Sequence, residues 1–207
     1  MTFIILPVKF QIRGRLMGYS QADKAKSHER IVKVAAERFR ESGVEGIGVA
    51  DLMKIAGLSH GGFYRHFPSR DDLVAEAVEH ALADGGKRVA DIVRPDRPLT
   101  LGMLIEAYLS SAHRDRLATS CAVTTMAADV ARSGSRARGA YSKQVEVYLK
   151  LLMELVGGTN KKARRARAIT VLATLVGTVS MARAVKEEKL SREILASAAQ
   201  ELLALAR

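Results

Sequence analysis

From His60 to His66 the chain reads HGGFYRH, which sets two imidazoles, a phenol and a guanidinium beside two adjacent glycines. Such donors suit phosphate oxygens, and a bidentate Arg matches the acceptor edge of guanine. Two glycines inside a helix cost about 1 kcal/mol each relative to Ala, so stability alone gives no reason for Gly61 and Gly62; without side chains the backbone can approach a groove closely. These residue types point to binding rather than catalysis. The five histidines, His28, His60, His66, His80 and His113, contain no pair spaced i, i+4 and no cysteine at ligand spacing, so no metal site is expected. A Cys121 and His113 dyad is conceivable but lacks a third orienting group or an oxyanion signature, and no strand leads into a Gly-rich phosphate cradle. The expectation is therefore no enzyme, no catalytic residues and no cofactor.

The elements that must hold HGGFYRH are legible on either side of it. Val49, Leu52, Met53 and Ile55 to Ala56 recur at helical spacing, Gly57 supplies the conformation that ends a helix, and Ser59 stands ready as an N-cap. His60 to Phe67 then reads as a second short helix closed by Pro68. Such a pair is too short to be stable alone. Its missing core is expected from an amphipathic helix between Ser27 and Ser42 that carries Ile31, Val34, Ala35, Arg38 and Phe39 on one face. Three helices then form a helix-turn-helix unit, whose second helix enters the major groove with its N-terminal residues on base edges.

The order Gly43, Val49, Asp51, Leu52, Ala56-Gly57-Leu58-Ser59, Gly61, Phe63-Tyr64, His66-Phe67, Ser69-Arg70 and Leu73 resembles the N-terminal domain of the tetracycline repressor (TetR) family. The likeness covers about a third of the chain. It implies an all-helical regulator, usually a homodimer and usually a repressor, whose C-terminal domain binds a small ligand that weakens DNA binding. By position, the resemblance places Tyr64 and His66 where the family contacts phosphate, Ser69 at the cap of the long connecting helix and Arg70 at its start. The family commonly has Ser or Thr where this chain has Ile47 and Gly48, and a polar residue at the place of Ala50. Gly48 can still cap a helix without a hydroxyl contact, which shifts anchoring toward Tyr64, Arg65 and Arg70. The expected DNA-binding set is Gly48, Ser59, His60, Gly61, Gly62, Tyr64, Arg65, His66 and Arg70.

Charge agrees with a polyanionic partner. The 207 residues carry a formal net charge of +11, and residues 1 to 70 hold 12 Lys and Arg against 6 Asp and Glu. RNA is disfavoured because aromatics make up 5% of the chain and form no paired stacking platform. Cys121 is the only cysteine, which excludes an intramolecular disulfide and suits a reducing cytoplasm. Residues 1 to 22 read as a disordered or artefactual extension with Met17 as a candidate start, residues 23 to 70 as the DNA-binding domain and residues 71 to 207 as a ligand-binding and dimerisation domain. The opening TFIILPVKF is too short and too basic for a signal peptide. Lys9, Arg13 and Arg15 are the basic residues of that extension.

The whole chain reads as all-α with about nine helices. A long helix is expected from Ser69 toward Val93, interrupted at Gly85 and Gly86 by a soft point that tilts the reading domain on ligand binding or by a tolerated defect, and followed by a stiff Arg94 to Pro98 linker. Five more are expected over Leu99 to His113, Ala118 to Ala131, Ser135 to Val156, Lys161 to Val185 and Ser191 to Ala206. Ala166 to Ala182 carries one charge, Arg167, and reads as a helix buried on more than one side, packing with the last helix in a dimer; its polar Thr and Ser residues argue against a membrane span. The family's pocket falls on the middle helices, where Tyr108, Cys121, Met126, Tyr141 and Tyr148 are the candidates. The partners expected are a double-stranded, near-palindromic operator, a small-molecule inducer and a second copy of the chain. Two alternatives stand beside this reading: a redox or electrophile sensor acting through Cys121, and a helical protein-interaction module without specific DNA binding.

Overall fold

The computed structural model describes residues 20–92 and 98–204, with the side chains of 86–92 outside the description. The expected N-terminal extension up to residue 19 and the linker at 94–97 fall outside the described residues. Every regular element described is helical.

Helix α1 (Gln21–Ser42) starts at a capping box: the Ser20 hydroxyl accepts from the Asp23 amide, and the Ser20 amide donates to the Asp23 carboxylate. It buries Ile31, Val32, Ala35, Ala36 and Phe39. The expected stripe shifts slightly, since Val34 and Arg38 lie half-buried at its edge. Helix α2 (Val49–Ile55) buries Leu52 and Met53, while Ile55 faces outward with 47% of its surface exposed. Gly57, at φ +70°, ends it in a Schellman motif: the Leu58 amide donates to the Met53 carbonyl and the Gly57 amide to that of Lys54. A short 3-10 helix, His60–Arg65, follows.

Helix α3 (Arg70–Ile92) is capped by Ser69, whose hydroxyl accepts from the Asp72 amide at 3.1 Å. It runs through Gly85 and Gly86 without a break, correcting the expected interruption. The reason for Gly85 is packing: a Cβ there would stand 2.6 Å from the Tyr148 hydroxyl. Two of the five later helices expected from the pattern divide into shorter pieces. They are α4 (Leu101–Tyr108), α5 (Ser111–Asp115), a 3-10 turn (Leu117–Thr119), α6 (Ala122–Thr125) and α7 (Ala127–Arg132). Side chains break the run, since the Thr100 and Ser110 hydroxyls each cap a new start.

Three long helices complete the chain: α8 (Ser135–Leu155), α9 (Lys161–Ala184) and α10 (Glu188–Ala204). α3 packs between α1 and α8, and α9 packs on α8 and α10. α9 buries Ala168, Val171, Leu172, Leu175, Val179 and Ala182, while Ala166, Ile169, Thr170, Ala173, Ser180 and Met181 face outward. No helix among the described residues is long and apolar enough to cross a membrane.

Gly57→Ala should cost about 1 to 2 kcal/mol, because a Cβ in the left-handed region is strained even though nothing among the described residues lies within 4 Å of it. Urea unfolding followed by circular dichroism measures it.

Candidate functional site

The HGGFYRH segment is held from beneath by aromatics. Phe63 is 2% and Phe67 1% exposed, with ring centroids 5.5 Å apart. Anchoring on Phe63 turns its neighbours outward: Tyr64 is 76% exposed, packed edge-on against the Phe63 ring, and His60, Gly61 and Arg65 are also exposed. The expected α-helix over His60 to Phe67 is in fact the shorter 3-10 turn, and this changes the cap. The Ser59 hydroxyl makes no capping bond, because tighter i to i+3 pairing brings the Gly62 amide onto the Ser59 carbonyl at 3.0 Å.

Neither glycine is demanded by the fold. Among the described residues nothing lies within 4 Å of a Cβ built on Gly61, and a Cβ on Gly62 would meet only ordinary contacts, with Met53 Cε at 3.6 Å and Ser59 Oγ at 3.7 Å. Both sit at negative φ. Gly48 is the exposed N-cap residue of α2.

The remaining candidates are more enclosed. Arg70 donates to the Glu45 carboxylate at 2.8 Å and to the Val44 carbonyl at 2.5 Å, tying the loop before α2 to the start of α3. His66 is half-buried, its ring 6.0 Å from that of His28, which stacks on Phe67 and pairs with Glu76 at 2.6 Å. Burial, with the nearby His28, Lys24 and Arg65, holds the His66 pKa below its ordinary value of 6.5. Lys24 lies on the same groove as Ser59, Gly62, Arg65 and His66. Residue order hides this neighbour, since Lys24 is brought in from the first turn of α1.

The ligand candidates divide into two groups. Tyr108, Cys121 and Tyr148 line one cavity of about 220 Å³, walled mainly by Leu104, Leu151, Leu152, Leu172 and Leu175. Burial, with Cys121 close by, drives both phenol pKa values up. Met126 is fully buried in the core, and the Tyr141 hydroxyl donates to the Val123 carbonyl at 2.8 Å; neither lines that cavity. His113, Ser120 and Gly85 also line it; the sequence drew attention to His113 and Gly85 for other reasons and not to Ser120. His113 Nε2 accepts from the Cys121 backbone amide at 3.3 Å. No group of three or more His, Cys, Asp or Glu among the described residues is arranged to hold a metal.

His66 sets a pH dependence. A folded pKa held below the unfolded value contributes stability that is present above about pH 6.5 and is lost as pH falls, because the unfolded chain takes up the proton first. Wild type should therefore lose stability relative to His66→Gln between about pH 7 and 5, read as urea midpoints.

Residues 31–77 match the model of the family described as "Bacterial regulatory proteins, tetR family". No curated protein sequence matches the chain. Among solved structures, a TetR transcriptional regulator from Chloroflexus aurantiacus J-10-FL is similar at TM-score 0.72 and 23% identity, covering 88% of this chain and 95% of that one. A transcriptional regulator from Rhodococcus sp. Rha1 has TM-score 0.67 and 23% identity, with 87% and 95% covered. The reduced form of NemR from E. coli has TM-score 0.70 and 16% identity, with 87% and 96% covered. At these identities the likeness is one of fold. The helix-turn-helix segment thus lies inside a match to the tetR family model over residues 31–77, and the fold along most of the chain is shared with solved transcriptional regulators.

Proposed function

We propose that the protein is a homodimeric repressor, working in the cytoplasm, that holds a near-palindromic operator through His60–Arg65 and releases it when a small molecule enters the cavity lined by Tyr108, Cys121 and Tyr148. Residues 23–70 form the reading unit in this view and 71–207 the ligand-binding and dimerisation unit. The observation that carries the reading is the exposed Gly61: the fold has no need of a glycine there, whereas a backbone approaching a groove has. Tyr64 and Arg65 beside it supply exposed donors for phosphate and base edges. Gly48, Ser59, His60 and Gly62 border them, while His66 and Arg70 support the surface from behind. The open face of α9, with Ile169 and Met181 exposed, supports pairing with a second copy.

A specific observation favours a second reading of the effector. Cys121 is half-buried on the cavity wall between two phenols, so an electrophile or oxidant reaching the cavity meets a thiol. Cys121→Ser with an unaltered response to such compounds overturns that reading and leaves the reversible ligand.

Three measurements test the proposal. Selection of duplexes from a random pool at near-physiological salt should enrich an inverted repeat with half-sites roughly 34 to 36 Å apart or a multiple of that; no enrichment by folded protein overturns the reading. Arg65→Ala should cost about 1 to 3 kcal/mol with relaxed preference at one base position, whereas Tyr64→Phe should weaken all sequences alike. Gly61→Ala should retain or raise folding stability while weakening operator binding, which separates an interface glycine from a structural one.

A further inference from the structure

The cavity has a polar end built on His113 and Ser120. His113 Nδ1 lies 2.6 Å from the Tyr108 carbonyl, which can only accept, so Nδ1 carries the proton. Nε2 faces the Cys121 amide at 3.3 Å and the Ser120 hydroxyl at 3.0 Å. The Ser120 oxygen in turn accepts from Arg183 at 2.5 Å, leaving its proton for Nε2. Both partners donate to the same Nε2 lone pair.

The guanidiniums of Arg183 and Arg40 do not line the cavity. Arg183 donates to the His113 and Arg114 carbonyls, and Arg40 to those of Ala81 and Ala118. Among the described residues lining the cavity, none is Lys, Arg, Asp or Glu. Against the described lining residues, a charged ligand would lose its hydration without gaining a counter-charge, which costs several kcal/mol. Thr119, the phenols of Tyr108 and Tyr148 and the thiol of Cys121 supply the other polar groups of the lining. The Tyr108 hydroxyl lies 2.5 Å from that of Thr124, and with Thr124 as donor to it the phenol proton is left for the cavity. A volume of about 220 Å³ lies below the roughly 300 to 1,000 Å³ of drug-sized sites.

We propose that this cavity takes an uncharged, largely apolar molecule of single-ring size that presents an acceptor oxygen, such as a carbonyl, to Tyr108 and Tyr148. The inference rests on the reading of the cavity as the effector site and names the chemistry of the effector.

Isothermal titration of the full chain with acetophenone, benzoate, benzylamine and ethylbenzene, in the absence of DNA, tests it. Acetophenone should bind about tenfold or more tightly than benzoate, benzylamine or ethylbenzene. The Tyr108→Phe, Tyr148→Phe double variant, checked for folding by circular dichroism, should lose the preference over ethylbenzene. Benzoate or benzylamine binding as tightly as acetophenone overturns the proposal, as does the absence of acetophenone binding or a preference that survives without the phenols. Release of a labelled operator is followed separately by fluorescence anisotropy. Acetophenone that binds without releasing DNA overturns the inducer reading and leaves the ligand class standing.

Discussion

The packing of α1 against α3 is the interaction on which the rest of the molecule hangs. Ile31, Ala35 and Phe39 from α1 and Leu73, Ala77, Val78 and Ala81 from α3 are all fully buried in one continuous core. Each large side chain removed from water contributes about 1.5 to 3 kcal/mol. The seven residues of α2 and the six of the 3-10 turn have no comparable support of their own; helices that short do not persist in water. They are held because Leu52, Met53, Phe63 and Phe67 reach into this core. An outward-facing Tyr64 and Arg65 therefore depend on contacts one or two residues away that face inward.

The same seam joins the reading surface to the cavity. At the end of α1, the buried Arg40 guanidinium donates to the Ala81 carbonyl of α3 at 2.7 Å and to the Ala118 carbonyl at 3.0 Å. A buried charge is tolerable only when its donors find partners, so this residue pins three segments together. Thr119, Ser120 and Cys121, which follow Ala118, line the cavity. α3 has a parallel role: its first turn is tied to the reading unit through Arg70, and Gly85 sixteen positions from the Ser69 cap lies under the Tyr148 hydroxyl. Both sites are built on shared rigid elements.

Some features were open to local reasoning because their causes are local. The Schellman turn at Gly57 follows from a glycine after an amphipathic run, and the Ser69 cap from a hydroxyl three residues before an acid. Others were not. The pattern treats Gly85 and Gly86 as a weak point, yet α3 runs on through them, and a Cβ on Gly85 would stand 2.6 Å from the oxygen of a phenol 63 residues further along the chain. Ser59 has every local mark of a hydroxyl cap, but burial of Phe63 and Phe67 is associated with a 3-10 turn that satisfies the amide through backbone instead. Leu99 to His113 and Ala118 to Ala131 read as two helices from apolar spacing alone, because periodicity does not register where a serine or threonine captures the next amide.

By itself the sequence determined the all-helical class, the position of the helix-turn-helix and the residue types offered to DNA, since amphipathic period, capping chemistry and turn glycines act over a few neighbouring residues. Tertiary structure alone decided which side chains share a site. Lys24 joins Ser59 and Arg65 on one groove, and Tyr108, His113, Cys121 and Tyr148 meet around one cavity, while Met126 and Tyr141 from the same helices turn into the core. The physical reason is that these neighbours come from different helices. Their meeting depends on how ridges and small residues such as Gly85 let the helices approach, and no local pattern encodes that distance.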